Sequence, residues 1–345
     1  MGIIRKDYIL DRLVYYATER RKRPRELKSV EVRDNSKLCF FCPWNPHLTP
    51  PEIGRVEYKG SWRLRWFLNK FPAVEMSVNR KAISAEMSGR EHRSELSHVT
   101  AQKSKIFNKK GNSRLKSKKF YLEGNSYGIH EIIVETPHHK SQLADLPVQQ
   151  IRELLEVCRF RIRELSKLKG IKYVDVFKNH GKDAGTSLIH SHSQVMALPQ
   201  IPTLVMEESE AVKKYRKCPY CDIIRHEAKS KRKIFETKNV VAFAPFASRF
   251  NYEAWIFVKR HKTNMEELND KELNDIALTL KKILFRLKKI NASYNFFIHY
   301  SPEKENLHFH IEVCPRIATW GGFEISTNST INSVMPEDAA RFYRG

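Results

Sequence analysis

Apolar residues recur at helical spacing in two long stretches of the chain. In the first, Val148, Ile151, Leu154, Leu155, Cys158, Ile162 and Leu165 fall on one face. In the second, Leu273, Ile276, Leu280, Ile283, Leu284 and Leu287 do the same, behind a capping signal near Asn269 or Asp270. Short β-branched and aromatic runs predict strands at 10–16, 129–135, 173–177, 195–198, 253–258, 294–300 and 307–313. An apolar, aromatic segment from Trp62 to Trp66 leads to Asn69 at a strand end. From about 79 to 119 the pattern breaks down into lysines and arginines among serine, asparagine and glycine, which reads as a mobile basic insertion.

These elements come in the same order twice. A Cys-x2-Cys pair, a strand ending in histidine, a helix, a strand, a loop and a His-x-His strand run from Cys39 to His192, and again from Cys218 to His310. We read this as an internal duplication. The expected class is α+β, with two pseudo-duplicated units at 1–202 and 203–345, each an antiparallel sheet with packed helices.

Candidate chemistry concentrates in residues 179–194, Asn-His-Gly-Lys-Asp-Ala-Gly-Thr-Ser-Leu-Ile-His-Ser-His-Ser-Gln. Residues two apart on a strand share a face. His190, His192 and Gln194 are therefore expected to form a row facing one site, with Ser191 and Ser193 turned away. An imidazole with one nitrogen held by a hydrogen bond is a competent nucleophile toward an α-phosphorus. Gly185 lets backbone N–H groups approach phosphate oxygens, Ser187 and Asn179 add side-chain donors, and Gln194 can stabilise developing charge. The plainer reading of His-x-His alone is a metal pair or a coincidence of one strand face.

Four of the six cysteines form the two Cys-x2-Cys pairs, which in a chain without a secretion signal read as metal ligands before disulfides. The repeat assigns one group as Cys39, Cys42, His139 and His190, and a second as Cys218, Cys221, His261 and His308. His138 is an alternative to His139, and His310 can replace or join His308. Two thiolates and two imidazoles suit tetrahedral, structural zinc. The plainer reading is inert buried thiols with surface histidines. The formal charge of +23 calls for anionic partners without choosing among them. No stretch approaches the roughly 20 apolar residues of a membrane span and the N-terminus lacks a signal-peptide core, so a cytoplasmic protein without a membrane partner is expected.

On these motifs the chain resembles the galactose-1-phosphate uridylyltransferase family of the histidine-triad superfamily, and especially its ADP-sugar phosphorylase-like members. The resemblance implies half-barrel domains, usually in a homodimer, and two structural zinc ions per chain. It carries over His192 as the residue that becomes a nucleotidyl-histidine. Arg20 and Arg23 of the Arg-x-Lys-Arg-Pro run match nucleotide-binding positions, as does Asn69, and Asn179, Gly185, Ser187 and Gln194 match positions around the phosphates. The bacterial uridylyltransferases build their second metal site from a carboxylate and histidines, where this chain has Cys218 and Cys221. The tail from Gly321 to Thr327 is phosphorylase-like and lacks the Tyr-Glu-Met type segment that faces the hexose in the uridylyltransferases, yet His308-Phe309-His310 keeps the latter's paired histidines.

The reading put first is a UDP-glucose:hexose-1-phosphate (galactose-1-phosphate) uridylyltransferase, acting by ping-pong transfer between an NDP-sugar and a sugar 1-phosphate. Its alternative is an ADP-sugar phosphorylase with inorganic phosphate as acceptor. Two further alternatives are a dinucleoside-polyphosphate hydrolase or phosphorylase, and a zinc-containing nucleic-acid-binding module supported by the basic insertion. The module gives no reason for the glycine loop and His-x-His-x-Gln to lie together.

Overall fold

The computed structural model describes residues 3–10, 13–16, 39–76, 99–101, 116–118, 121–123, 126–302 and 306–345. Arg20, Arg23 and most of the 79–119 segment lie outside the described residues.

Among the described residues, eleven strands form one sheet in which every neighbouring pair is antiparallel. At its centre Tyr173–His180 pairs with Tyr294–His299, with Asn179 opposite Asn295. On one side of this junction the order continues through His192–Leu198, Ile129–Val134, Ser61–Leu68, Glu52–Tyr58 and Val99–Ala101. On the other side it runs through His310–Pro315, Ala254–Val258, Val240–Phe243 and Lys233–Glu236. In both halves the strand holding the second histidine of His-x-His lies between the strand before the helix and the strand after it.

The two amphipathic stretches are the helices Val148–Ser166 and Asp270–Lys289, which pack against each other and on the sheet. The second starts at a reciprocal cap: the Glu272 N–H donates to Asn269 Oδ1 (3.0 Å), and the Asn269 N–H donates to Glu272 Oε2 (2.9 Å). It ends among Arg286, Lys288 and Lys289, where the helix dipole favours cations. Their buried faces join the sheet residues in one core cluster that spans both halves.

A smaller sheet ties the chain ends together. Ile3–Lys6 pairs with Leu13–Tyr16, which runs parallel to Thr330–Asn332. The N-terminal residues pack on the second half, where Tyr8 Oη donates to Glu227 (2.7 Å) and Arg5 pairs with Glu337 (3.2 Å).

Candidate active site and metal centres

The alternation expected around His192 holds, and it divides two chemistries. Ser191 and Ser193 turn inward, and both donate to one carboxylate, Glu135, at 2.5 Å. Lys178, from Tyr173–His180, donates to the same carboxylate (2.7 Å), to Ser191 Oγ (3.1 Å) and to the His192 carbonyl (3.0 Å). Glu135 and Lys178 are 0% and 1% exposed, a depth at which neither charge is tolerable without the other. Burial alone would raise the Glu135 pKa; Lys178 and the two serines outweigh it and hold the carboxyl below its ordinary value.

His192 and Gln194 turn outward and line one cleft of about 280 Å³, together with Asn69, Gly185 and Ser187. The expected row of three is therefore a row of two. His190 precedes the strand and turns to the cysteines instead. His192 Nδ1 donates to the His190 carbonyl at 2.9 Å. A carbonyl can only accept, so the proton sits on Nδ1 and Nε2 keeps its lone pair. Burial, and then the Lys178 charge, pushes the His192 pKa down to about 4, so the ring is neutral at pH 7.

The loop before the strand depends on two glycines. Gly181 adopts φ 81° with Ser293 packed where a Cβ would stand, and Gly185 closes the Lys182–Ala184 turn in the left-handed region at φ 81°. Asn179 borders this loop without lining the cleft: its Oδ1 accepts from Asn295 Nδ2 (2.8 Å), which also donates to the Ala184 carbonyl (2.9 Å). A second-half side chain thus fixes the first-half loop.

Both Cys/His groups assemble as the repeat predicts. The donor atoms of Cys39, Cys42, His139 and His190 lie within 4.8 Å of one another, as do those of Cys218, Cys221, His261 and His308. His139 takes part, not His138. The sulfur–Nδ1 distances of 3.3–3.6 Å in the first group and 3.5–3.9 Å in the second can be compared with the edge of a tetrahedral Zn–S/Zn–N site, about 3.6 Å. His190 Nε2 donates to the Thr136 carbonyl (2.7 Å) and His308 Nε2 to the Val258 carbonyl (2.9 Å). Each bond leaves Nδ1 toward the thiols, the outer-shell arrangement that orients a metal-binding imidazole. His190 and His308 are fully buried, which rules out surface histidines for those two positions. These residues can hold a metal.

His310 belongs to neither group. Its Nδ1 donates to the His308 carbonyl (2.8 Å), repeating the His192 wiring, and its ring joins Glu208, His299 and Glu312 in a third buried group with donor atoms within 4.8 Å. Burial opposes charge on His299, but Glu208, Glu312 and Asp175 outweigh it and raise its pKa to about 9.

Four residues of the site were not legible in the sequence. Glu135, Lys178 and Asn295 act through partners far along the chain. The fourth, His130, stands behind the cleft with Nε2 at 2.9 Å from Gln194 Oε1. The one available signal was Lys178, a charge at the inward position that follows Val174 and Val176, which demands a buried counter-charge.

A neutral, oriented imidazole facing a glycine loop, beside a Cys/His cross-link, is an arrangement that can displace a leaving group at phosphorus. Comparison with known proteins agrees with that class. Residues 58–341 match the family described as a domain of unknown function, DUF4921. The chain is 32% identical to ADP-glucose phosphorylase of Arabidopsis thaliana over 99% of this chain and 92% of that protein. It is 33% identical to galactose-1-phosphate uridylyltransferase of Thermotoga maritima over 66% of this chain and 77% of that protein. The crystal structure of an Arabidopsis thaliana ADP-glucose phosphorylase with bound ADP-glucose matches at TM-score 0.77 and 30% identity, covering 100% of this chain and 98% of that one. The chain belongs to the galactose-1-phosphate uridylyltransferase family, among relatives that include ADP-glucose phosphorylase, and it is an enzyme. No helix among the described residues is long and apolar enough to cross a membrane.

Proposed function

We infer that this enzyme is an ADP-sugar phosphorylase working by ping-pong through a nucleotidyl-His192 intermediate. The observation that carries the choice is identity held over the full length: the phosphorylase is 32% identical over 99% of the chain, whereas the Thermotoga maritima uridylyltransferase reaches 33% over only 66% of it. This gives the alternative acceptor more weight than the uridylyltransferase that the motifs alone put first.

In the first half-reaction His192 Nε2 attacks the α-phosphorus of the ADP-sugar, the bond to the bridging oxygen breaks, and sugar 1-phosphate leaves. Its phosphate ionises near neutral pH, so departure needs no protein acid. The proton on Nδ1 stays bonded to the His190 carbonyl while the ring gains positive charge. Gln194, Ser187 and the amides around Gly185 bind the phosphoryl oxygens, with Asn179 supporting the loop. Phosphate then attacks the same phosphorus from the acceptor side, releasing ADP and restoring His192. Asn69, Arg20 and Arg23 complete the nucleotide contacts on the strength of the resemblance.

The two Cys2His2 groups hold zinc in this reading. Bound zinc supplies a closed tetrahedral cross-link, so its part is structural. Cys39, Cys42, His139 and His190 would lock the segment leading into His192. Cys218, Cys221, His261 and His308 would do the same in the second half. Two pseudo-duplicated units at 1–202 and 203–345, a homodimer and a cytoplasmic location complete the proposal.

Product analysis tests the acceptor. ADP-glucose with inorganic phosphate should yield ADP and glucose 1-phosphate. Exchange between UDP-glucose and galactose 1-phosphate, with no phosphorolysis of ADP-glucose, would return the assignment to the uridylyltransferase.

A further inference from the structure

The geometry points to His130 as a positioning residue that fixes the Gln194 amide with its NH2 toward the reacting phosphorus. The proposal rests on the reading of Gln194 as a phosphoryl-binding group. Its basis is a chain of donors with an unambiguous start. The backbone N–H of Ala73, which can only donate, points at His130 Nδ1 at 3.2 Å. Nδ1 is therefore the acceptor, and in the neutral ring the proton must sit on Nε2. That Nε2–H faces Gln194 Oε1 at 2.9 Å. The carbonyl end of the amide is thereby occupied, and the NH2 end is left for the cleft that Gln194 lines.

Without this bond the amide is free to rotate by 180° and present its oxygen, which repels phosphate. Burial pushes the His130 pKa down, which keeps the ring in the neutral form the chain requires. A second cleft residue lies against the same ring but is held by backbone groups that a substitution of the imidazole leaves in place. Asn69 Oδ1 accepts from the Phe71 N–H (2.9 Å), so its Nδ2 turns to the His130 ring, 3.2 Å from Nε2 and 3.4 Å from Nδ1; with the proton on Nε2, only Nδ1 can accept from it, shared with the Ala73 N–H. The Asn69 N–H also donates to the His130 carbonyl (2.7 Å). His130 is 7% exposed, and it acts through Gln194.

The test is a double-mutant cycle on the single-turnover rate at which ADP-glucose nucleotidylates His192. Gln194→Ala should slow the step on the order of a hundredfold, as loss of an oriented donor does. His130→Phe should slow it roughly ten- to a hundredfold with little change in ADP-glucose affinity, the scale for residues that orient a functional group from behind. The double variant should be no slower than Gln194→Ala alone, and His130→Gln, which restores a donor, should recover part of the rate. Multiplicative losses in the double variant, or a wild-type rate in His130→Phe, would overturn the positioning role while leaving Gln194 in place. A wild-type rate in Gln194→Ala would remove the reading of Gln194 and the proposal with it. Should His130→Phe fail to fold, His130→Leu combined with Gln194→Ala runs the same cycle.

Discussion

His190 and His192 stand two residues apart and use opposite nitrogens. His190 spends Nε2 on the Thr136 carbonyl and turns Nδ1 to the thiols; His192 spends Nδ1 on the His190 carbonyl and keeps Nε2 for the cleft. The division was half legible in the sequence, because a period of two marks His192 and Gln194 as neighbours on one face. The repeat also placed His190 with Cys39 and Cys42, but a period of two alone kept it in the row, and only the folded position of the cysteines shows that it cannot do both. Of the Glu135–Lys178 pair beneath the strand, only the inward charge of Lys178 could be read, because its partner stands 43 residues away in the chain. The pair's energetics give a direct expectation: Lys178→Met leaves a buried carboxylate unpaired and should cost about 3–5 kcal/mol in urea denaturation. Adding Glu135→Leu should recover part of that loss. A double variant less stable than Lys178→Met would contradict the charge argument.

At the scale of elements, the two long helices were legible because their apolar spacing is regular and the Asn269–Glu272 cap is written in adjacent residues. Val240–Phe243, buried at every position, offers no alternation to read, and the short Pro219–Glu227 helix gives little period. The loop from Gly181 to Gly185 is the element on which the proposed function turns. A Cβ at Gly185 would meet no atom within 4 Å, so substitution there probes backbone strain alone. Gly185→Ala should destabilise the fold by roughly 1–2 kcal/mol, the cost of left-handed backbone for an L-residue, and slow nucleotidylation more than it lowers stability. Thermal denaturation beside single-turnover rates checks this. A stable variant at full rate would show that the left-handed turn is dispensable.

Across the whole molecule, the two halves share one sheet, and the junction of Tyr173–His180 with Tyr294–His299 couples them. The repeat of motifs showed that two similar sets of elements exist. The pairing of Asn179 with Asn295 across the junction could not be read, because strand order between halves depends on packing and not on spacing. His180 lies at this junction, stacked on Tyr294 with ring centroids 4.7 Å apart. Burial, and then Lys178, lowers its pKa from 6.5 to about 4. Between those values the unfolded chain binds the proton more readily, so the stability tied to neutral His180 is present above pH 6.5 and lost as pH falls toward 4. Wild type should therefore lose stability relative to His180→Phe between pH 7 and pH 5. Parallel stability curves would contradict this role for the junction.

The central claim is that His192 carries the nucleotide. Intact-protein mass spectrometry after mixing the enzyme with ADP-glucose, without acceptor, tests it most directly. The expected result is an AMP adduct that disappears on adding inorganic phosphate, and no adduct in a His192→Ala protein that keeps its metal content. Adduct formation or turnover by metal-replete His192→Ala would contradict it.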